Sequence, residues 1–294
     1  MTDRFEVHRA KIESRLDEIC DTYLAGLPLQ LADAIRYGLK TPGKRLRPLL
    51  LLFSYHAAGG EGDASLLACA PEIVHSYSLM HDDLPCMDDD DIRRGRPTVH
   101  KVYGSQVAIR GGVAMIPVAV MVARDSAKQL RLAHAIAIRI VETLLEAVGS
   151  SGMIGGQQRD LAGEGKSLAL AEREEIHSAK TGALIVGSVR MGALAARAGD
   201  AQTAALERFG RDIGLAFQIV DDVLDVTSSS GELGKATGRD AVLGKNTYPA
   251  LLGVDGARAR AQALTDDALE ALRGQRLLTP QLAQVANFMV TRTS

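Results

Sequence analysis

Two short stretches carry most of the titratable chemistry of this chain. Between His81 and Arg96 stand six carboxylates, Asp82, Asp83, Asp88, Asp89, Asp90 and Asp91, followed at once by Arg93, Arg94 and Arg96. A second cluster, Asp221, Asp222 and Asp225, closes the apolar run from Ile213 to Val220. Spacings of three and four let these last acids lean toward one face of a helix. Like charges placed so repel by a few tenths of a kcal/mol per pair at a surface, and more when partly buried, so a cation belongs there. Hard oxygen donors without matching His or Cys spacing select Mg²⁺, which takes one or two carboxylates and leaves its other positions to water and phosphate. Two such clusters facing each other would make a polymetal cage for a diphosphate. A single acidic run is more often a solvated loop, and it is the second cluster that weighs against that reading.

The elements that must position these acids are helical. Ala68 to Met80 is apolar enough for a buried helix, and Pro85 forces Leu84 out of the helical region, so the first acids straddle a helix end. Ile12, Leu16, Ile19 and Tyr23, then Leu27, Leu31, Ala34 and Ile35, recur at the spacing of amphipathic helices. Pro28 fits only at the start of the second of these. Thr203 to Val226 is one long helical pattern and Tyr248 to Val254 another, while strands have almost no support. Glycine- and proline-rich turns at residues 41–43, 59–62, 149–152, 198–200 and 228–231 separate segments of helix length. The expectation is an all-α chain of about ten helices forming a single domain, 1–294. Gly43-Lys44-Arg45-Leu46-Arg47-Pro48 sets a basic cluster at a helix start, where free backbone N–H groups add to the side-chain charge and favour an anion.

Composition narrows the partners. The 294 residues are 46% hydrophobic and 24% charged, with a formal net charge of −2, so nothing points to nucleic acid. Three cysteines, Cys20, Cys69 and Cys86, are odd in number and unpatterned, which argues against a disulfide framework and a zinc site and suits a reducing compartment. The first residues are charged and lack an apolar signal core. The longest nearly uncharged apolar run, Gly111 to Ala123, is shorter than the roughly 20 residues that span a bilayer. A cytoplasmic protein without a membrane span is expected.

His81-Asp-Asp-Leu-Pro-Cys-Met-Asp88 and Asp221-Asp-Val-Leu-Asp225 resemble the two aspartate-rich motifs of the trans-polyprenyl diphosphate synthases, most closely the bacterial farnesyl diphosphate synthases. Further matches follow in the family's order: the Gly43–Pro48 cluster, Gly156-Gln157 with Asp160, Lys180-Thr-Gly-Ala-Leu184, Leu233-Gly-Lys235 and Gly244-Lys-Asn-Thr-Tyr-Pro249. The resemblance implies the isoprenoid synthase fold, a helical bundle around a central cavity, and a homodimer. It implies Mg²⁺, three ions per active site, held by Asp82, Asp83, Asp88, Asp221, Asp222 and Asp225. Lys44, Arg47, His75 and Arg94 would hold isopentenyl diphosphate. Lys180, Thr181 and Gln218 would serve catalysis at the allylic pocket, with Arg93, Lys235 and Lys245 on the allylic diphosphate. By itself His75 would read as a core histidine, and Lys180-Thr181 as a solvated pair.

The reaction so implied is ionisation of dimethylallyl or geranyl diphosphate, attack by isopentenyl diphosphate, and loss of a proton, with released diphosphate as base. Product length rests on Tyr77 and Ser78, about 6 to 7.5 Å below Asp82 along the helix. A bulky residue there, with the two extra residues between the paired and third aspartates, accompanies short products in the family, so farnesyl diphosphate is expected and geranylgeranyl diphosphate is the alternative. A terpene cyclase would need no second diphosphate site, which Lys44, Arg47 and Arg94 supply. One stretch departs from the family: Gly112-Val113-Ala114-Met115 replaces the usual Gly-Asp-Ala-Leu, and Pro117 falls inside an expected helix at a cost of about 3 kcal/mol. That departure keeps open a non-catalytic partner subunit.

Overall fold

A computed structural model describes residues 5–163, 165–166, 168–227 and 247–292. The chain divides into two compact units, one made of Met1–Leu52 and Gly62–Val141, the other of Phe53–Glu61 and Glu142–Ser294. The first unit contains α1 (Glu6–Tyr23), α2 (Leu29–Leu39), the first half of α3 (Leu46–Ala57), α4 (Ser65–Asp82), α5 (Val99–Tyr103) and α6 (Ser105–Gln129). Its centre is α4, which packs on α1, α2 and α6. From Ser65 to Tyr77 almost every residue of α4 is buried, as a helix apolar on all sides must be. The stripe read in α1 is the buried one, Ile12, Leu16 and Ile19. Pro28 stands immediately before α2 as its N-cap.

Two prolines lie inside helices of this unit, Pro71 in α4 and Pro117 in α6. The α6 helix runs unbroken for 25 residues through Pro117. Pro117 cannot donate to the carbonyl of Val113, but both residues are on the exposed face, where water can take the donor's place. By length and composition α6 could cross a membrane, the sole such case among the described residues. Its Gly111, Met115, Val118, Ala119 and Val122 are nonetheless buried, with Gly111 against Met80, Ile35 and Leu31. One feature had no sequence signal: a two-residue hairpin, β1 (Ile92–Arg93) paired antiparallel with β2 (Arg96–Pro97). Arg94 and Gly95 turn it, both at positive φ (53° and 75°), as a tight primed turn requires.

The second unit contains the last turns of α7 (His134–Val148), then α8 (Met153–Gly163), α9 (Leu170–His177), α10 (Ala183–Ala195), α11 (Asp200–Thr227), α12 (Tyr248–Gly274) and α13 (Pro280–Thr291). Helix α11 is its axis. Ala216, Ile219, Val220, Val223 and Leu224 of α11 close a dry cluster with Tyr248, Ala257, Ala261 and Leu264 of α12. The helical pattern read over Tyr248 to Val254 is the first segment of α12: Gly253 (φ 71°, ψ 164°) is non-helical and breaks the element there, and a second helical segment follows to Gly274. Between α9 and α10 lies one π-helical turn, Ser178–Gly182.

Candidate active site

The first aspartate cluster sits where α4 stops. Asp82 is its last residue, and Leu84, Pro85 and the following turns reverse the chain. The amide of Asp88 then donates to the carbonyl of Asp82 at 2.8 Å, which returns the third acid to the helix end six residues earlier. Asp83 faces inward and is buried. Its Oδ1 accepts from Arg93 Nε at 2.6 Å, and a second nitrogen of Arg93 reaches Asp90 at 3.2 Å. Burial raises the Asp83 carboxyl above its usual range, and Arg93 offsets part of that rise. Of the acids read as metal ligands here, Asp82 and Asp88 are half-exposed together at the helix end, while Asp83 holds the β1 arginine.

The basic cluster is assembled in the same unit. Arg94 Nη1 donates to the carbonyl of Pro42 at 2.8 Å, so the hairpin tip is fastened to the loop that carries Lys44. Gly43 makes room for it, since a Cβ there would lie 2.5 Å from Arg94 Nη1. Burial, with Arg94 adding to it, pushes the Arg47 guanidinium down to about 10, and Glu72 works against the fall. The Arg47 Nε is buried without a hydrogen-bond partner. His75 is held well below the ordinary histidine value by burial first, then by Arg47, Arg94, Arg93 and Arg45. Arg47, His75 and Arg94, far apart in sequence, thus share one electropositive recess. An orphaned donor on one guanidinium, with a second guanidinium and an imidazole in its field, is chemistry that suits an anion.

Below Asp82 on α4, Tyr77 is 8% exposed and meets His81 edge to face at 4.8 Å between ring centres. Its phenol is raised by burial and then by the Asp82 charge. Ser78 Oγ donates to the carbonyl of His75. His81 Nε2 lies 3.1 Å from the carbonyl of Ile109, and a Cβ at Gly112 would come within 2.2 Å of that nitrogen. The retained glycine of the departed stretch therefore seats the histidine next to the first acid, whereas Val113, in the place of the usual Asp, is 58% exposed.

In the second unit the acids take different surroundings. Asp221 Oδ1 accepts from Arg292 at 2.6 Å, and Arg292 also donates to the carbonyl of Phe217 and lies over the Phe217 ring at 3.8 Å. Asp222 is turned inward, 3% exposed, and accepts from the amide of Tyr248 at 3.1 Å. Asp225 has a buried carboxylate oxygen with no hydrogen-bond partner. Gln218 is half-buried one turn before Asp222. Lys180 and Thr181 ride on the π turn, the kind of local bulge that re-aims side chains at functional sites. Lys180 Nζ donates to Asp160 of α8 at 2.7 Å, and Gly156 makes that approach feasible, since a Cβ would strike the Lys180 amide nitrogen at 2.2 Å. Lys235 and Lys245 lie outside the described residues.

Sequence reasoning passed over Arg45, Glu72, Tyr248 and Arg292. For Glu72 a signal existed: it lies three residues before His75, on the same face of α4. The acids fit a hard divalent cation, because every donor is a carboxylate oxygen, Asp88 is tied back to Asp82, and Asp225 has a buried oxygen without a partner.

The family description of the polyprenyl synthetases matches residues 28–277. The chain belongs to that family, a family of prenyltransferases. Among curated relatives, it is 45% identical over 257 residues to a chloroplastic geranylgeranyl pyrophosphate synthase of Catharanthus roseus, covering 86% of this chain and 71% of that one. It is 43% identical over 280 residues to the farnesyl diphosphate synthase of Escherichia coli, covering 92% and 93%. Among solved structures, a geranyltransferase of Helicobacter pylori, complexed with magnesium and isoprenyl diphosphate, superposes with a TM-score of 0.81 at 30% identity, over 99% of this chain and 97% of that one. The all-α isoprenoid synthase fold expected from the sequence is thus the fold of this chain.

Proposed function

We propose that this prenyltransferase is a farnesyl diphosphate synthase, which condenses isopentenyl diphosphate with dimethylallyl and then geranyl diphosphate. The observation that carries a two-substrate reaction is the recess of Arg47, His75 and Arg94, with its buried, unpartnered Arg47 Nε, on the same unit as Asp82 and Asp88. A cyclase has no use for a second diphosphate site. In this reading Lys44, Arg47 and Arg94 bind the isopentenyl diphosphate, and neutral His75 adds a hydrogen bond without more charge. Lys180, kept in place by Asp160, and Thr181 attend the allylic substrate with Gln218, Arg93, Lys235 and Lys245. Asp82 and Asp88 in the first unit, and Asp221 and Asp225 in the second, would each offer oxygens to Mg²⁺, with Asp83 and Asp222 behind them in the interior of their own units. When bound, Mg²⁺ offsets the charge of the departing diphosphate. Buried apolar walls, Tyr77 among them, keep water from the allylic cation, and the proton lost at the end passes to the released diphosphate.

Farnesyl diphosphate is the product this reading selects because Tyr77 fills the space beneath Asp82. Relatives making either product stand at similar identity, 45% and 43%, so geranylgeranyl diphosphate is the second reading. The proposal extends to one catalytic domain over 1–294 and to a cytoplasmic homodimer. Exposed Ile109 and Val113 on α6 support a second copy as their cover. The test is incubation with isopentenyl and dimethylallyl diphosphates, with Mg²⁺ or with EDTA, and chromatography of the dephosphorylated products. Metal-dependent farnesol supports the proposal, and no condensed product would overturn it.

A further inference from the structure

Arg45 stands between Lys44 and Arg47 in the basic cluster, yet it points the other way. Its side chain is 1% exposed. Nε donates to Glu13 Oε1 at 2.7 Å and Nη1 to Glu72 Oε1 at 2.7 Å. Nη2 donates to Glu13 Oε2 at 3.2 Å and to the carbonyls of Leu39 at 3.0 Å and Thr41 at 3.2 Å. One guanidinium therefore joins α1, the end of α2, the loop at 40–45 and α4. Its backbone is left-handed, φ 51°, an uncommon conformation for a residue with a side chain. That reversal, immediately before α3 begins at Leu46, sends the Arg45 side chain inward.

Glu72 links this clamp to the anion recess. It is 2% exposed, and its charge acts on Arg47 and Arg94 as well as on Arg45. The loop is fastened on its far side by Arg94 through the Pro42 carbonyl. Lysine could not replace Arg45, since a single ammonium lacks the planar fork that spans two carboxylates and two carbonyls at once. A surface role for Arg45 is excluded by its burial, and all three of its nitrogens are already committed to two carboxylates and two carbonyls of the protein.

We propose that Arg45, clamped by Glu13 and Glu72, is the positioning residue of the isopentenyl diphosphate site: it fixes the loop so that Lys44 and Arg47 present their charges in one geometry, without touching the substrate. This rests on the assignment of that site to Lys44, Arg47, His75 and Arg94 given above. Outer partners that orient ligand-bearing groups contribute about 10- to 100-fold in affinity where they have been removed in metal sites, and the same scale is expected here.

The experiment uses the full chain. Isopentenyl diphosphate does not react without an allylic partner, so its Kd is measured alone by calorimetry, beside steady-state KM for both substrates. Arg45→Lys should raise the Kd and KM for isopentenyl diphosphate by about tenfold or more, with KM for geranyl diphosphate and kcat within about twofold. Because burial makes that variant prone to misfold, Glu13→Gln serves as the second probe: Glu13 is 42% exposed, and its loss loosens the same guanidinium from the solvent side. It should weaken isopentenyl diphosphate binding selectively at a melting temperature near wild type. A merely structural role predicts instead a lower melting temperature and active fraction with unchanged Kd. Selective weakening in Glu13→Gln supports the proposal. Wild-type Kd in both variants, or an equal loss for both substrates, overturns it. Arg47→Ala is the control: if it leaves the isopentenyl diphosphate Kd unchanged, the site assignment itself is wrong and the positioning role falls with it.

Discussion

Replacing Tyr77 by alanine is the sharpest test of how product length is set. The ring is 8% exposed, and its phenol senses the Asp82 charge, so it stands directly beneath the first acid of the α4 cluster. A chain anchored at that acid and growing along α4 meets the ring first. Without it, the next obstacle is one helical turn earlier, at Ile73, about 6 Å further along. That distance is comparable to one additional five-carbon unit, so the product should move from fifteen carbons to twenty, with longer species minor. Truncating a buried aromatic costs about 3–5 kcal/mol of stability, so the melting temperature will fall and the assay belongs at low temperature. The readout is chromatography of dephosphorylated products with geranyl diphosphate as primer, with the first condensation timed separately from dimethylallyl diphosphate. The first condensation should keep its rate, because a ten-carbon product does not reach the floor. A variant that folds, turns over and still stops at the wild-type length would refute the reasoning and place the limit elsewhere.

Asp88→Asn and Asp225→Asn should each lower kcat by orders of magnitude while the melting temperature holds or rises, because each change removes like charge without creating a cavity; near-normal turnover in either would remove that acid from the reaction. Stability should respond to His75. Its folded value is far below the ordinary one near 6.5, so under acid the unfolded chain binds a proton that the folded chain does not, and stability falls as pH drops through about 6.5 toward the folded value. His75→Gln should flatten the melting temperature between pH 7 and pH 5, and an unchanged slope would deny the buried neutral imidazole.

What could be read from the chain is what is local along it. The apolar run ending at Met80 became α4, because burial on nearly all sides and a proline just past the end, Pro85, are written in adjacent residues; the run ending at Val220 lies inside α11, which carries on through Asp225 to Thr227. Likewise, the basic residues at 44–47 were legible as a charged cluster at a helix start, and α3 begins at Leu46. The hairpin was not, since two-residue strands have no period to detect and the turn depends on Arg94 at positive φ. Nor was the partition of the acids. Asp83 goes to Arg93 across a reversal, Asp222 to the Tyr248 amide 26 residues on, and Asp221 to Arg292 at 71. Arg45 shows the limit most plainly: its type and neighbours match those of Arg47, and only a backbone angle turns one into the interior while the other lines the recess.

The central claim is that this chain joins two diphosphate esters through an allylic cation. Single-turnover condensation of isopentenyl diphosphate with 2-fluorogeranyl diphosphate tests it most directly, because the fluorine withdraws electrons from that cation while changing size little. The account predicts a rate lower by orders of magnitude than with geranyl diphosphate, at similar binding affinity. Equal rates for the two substrates would contradict it.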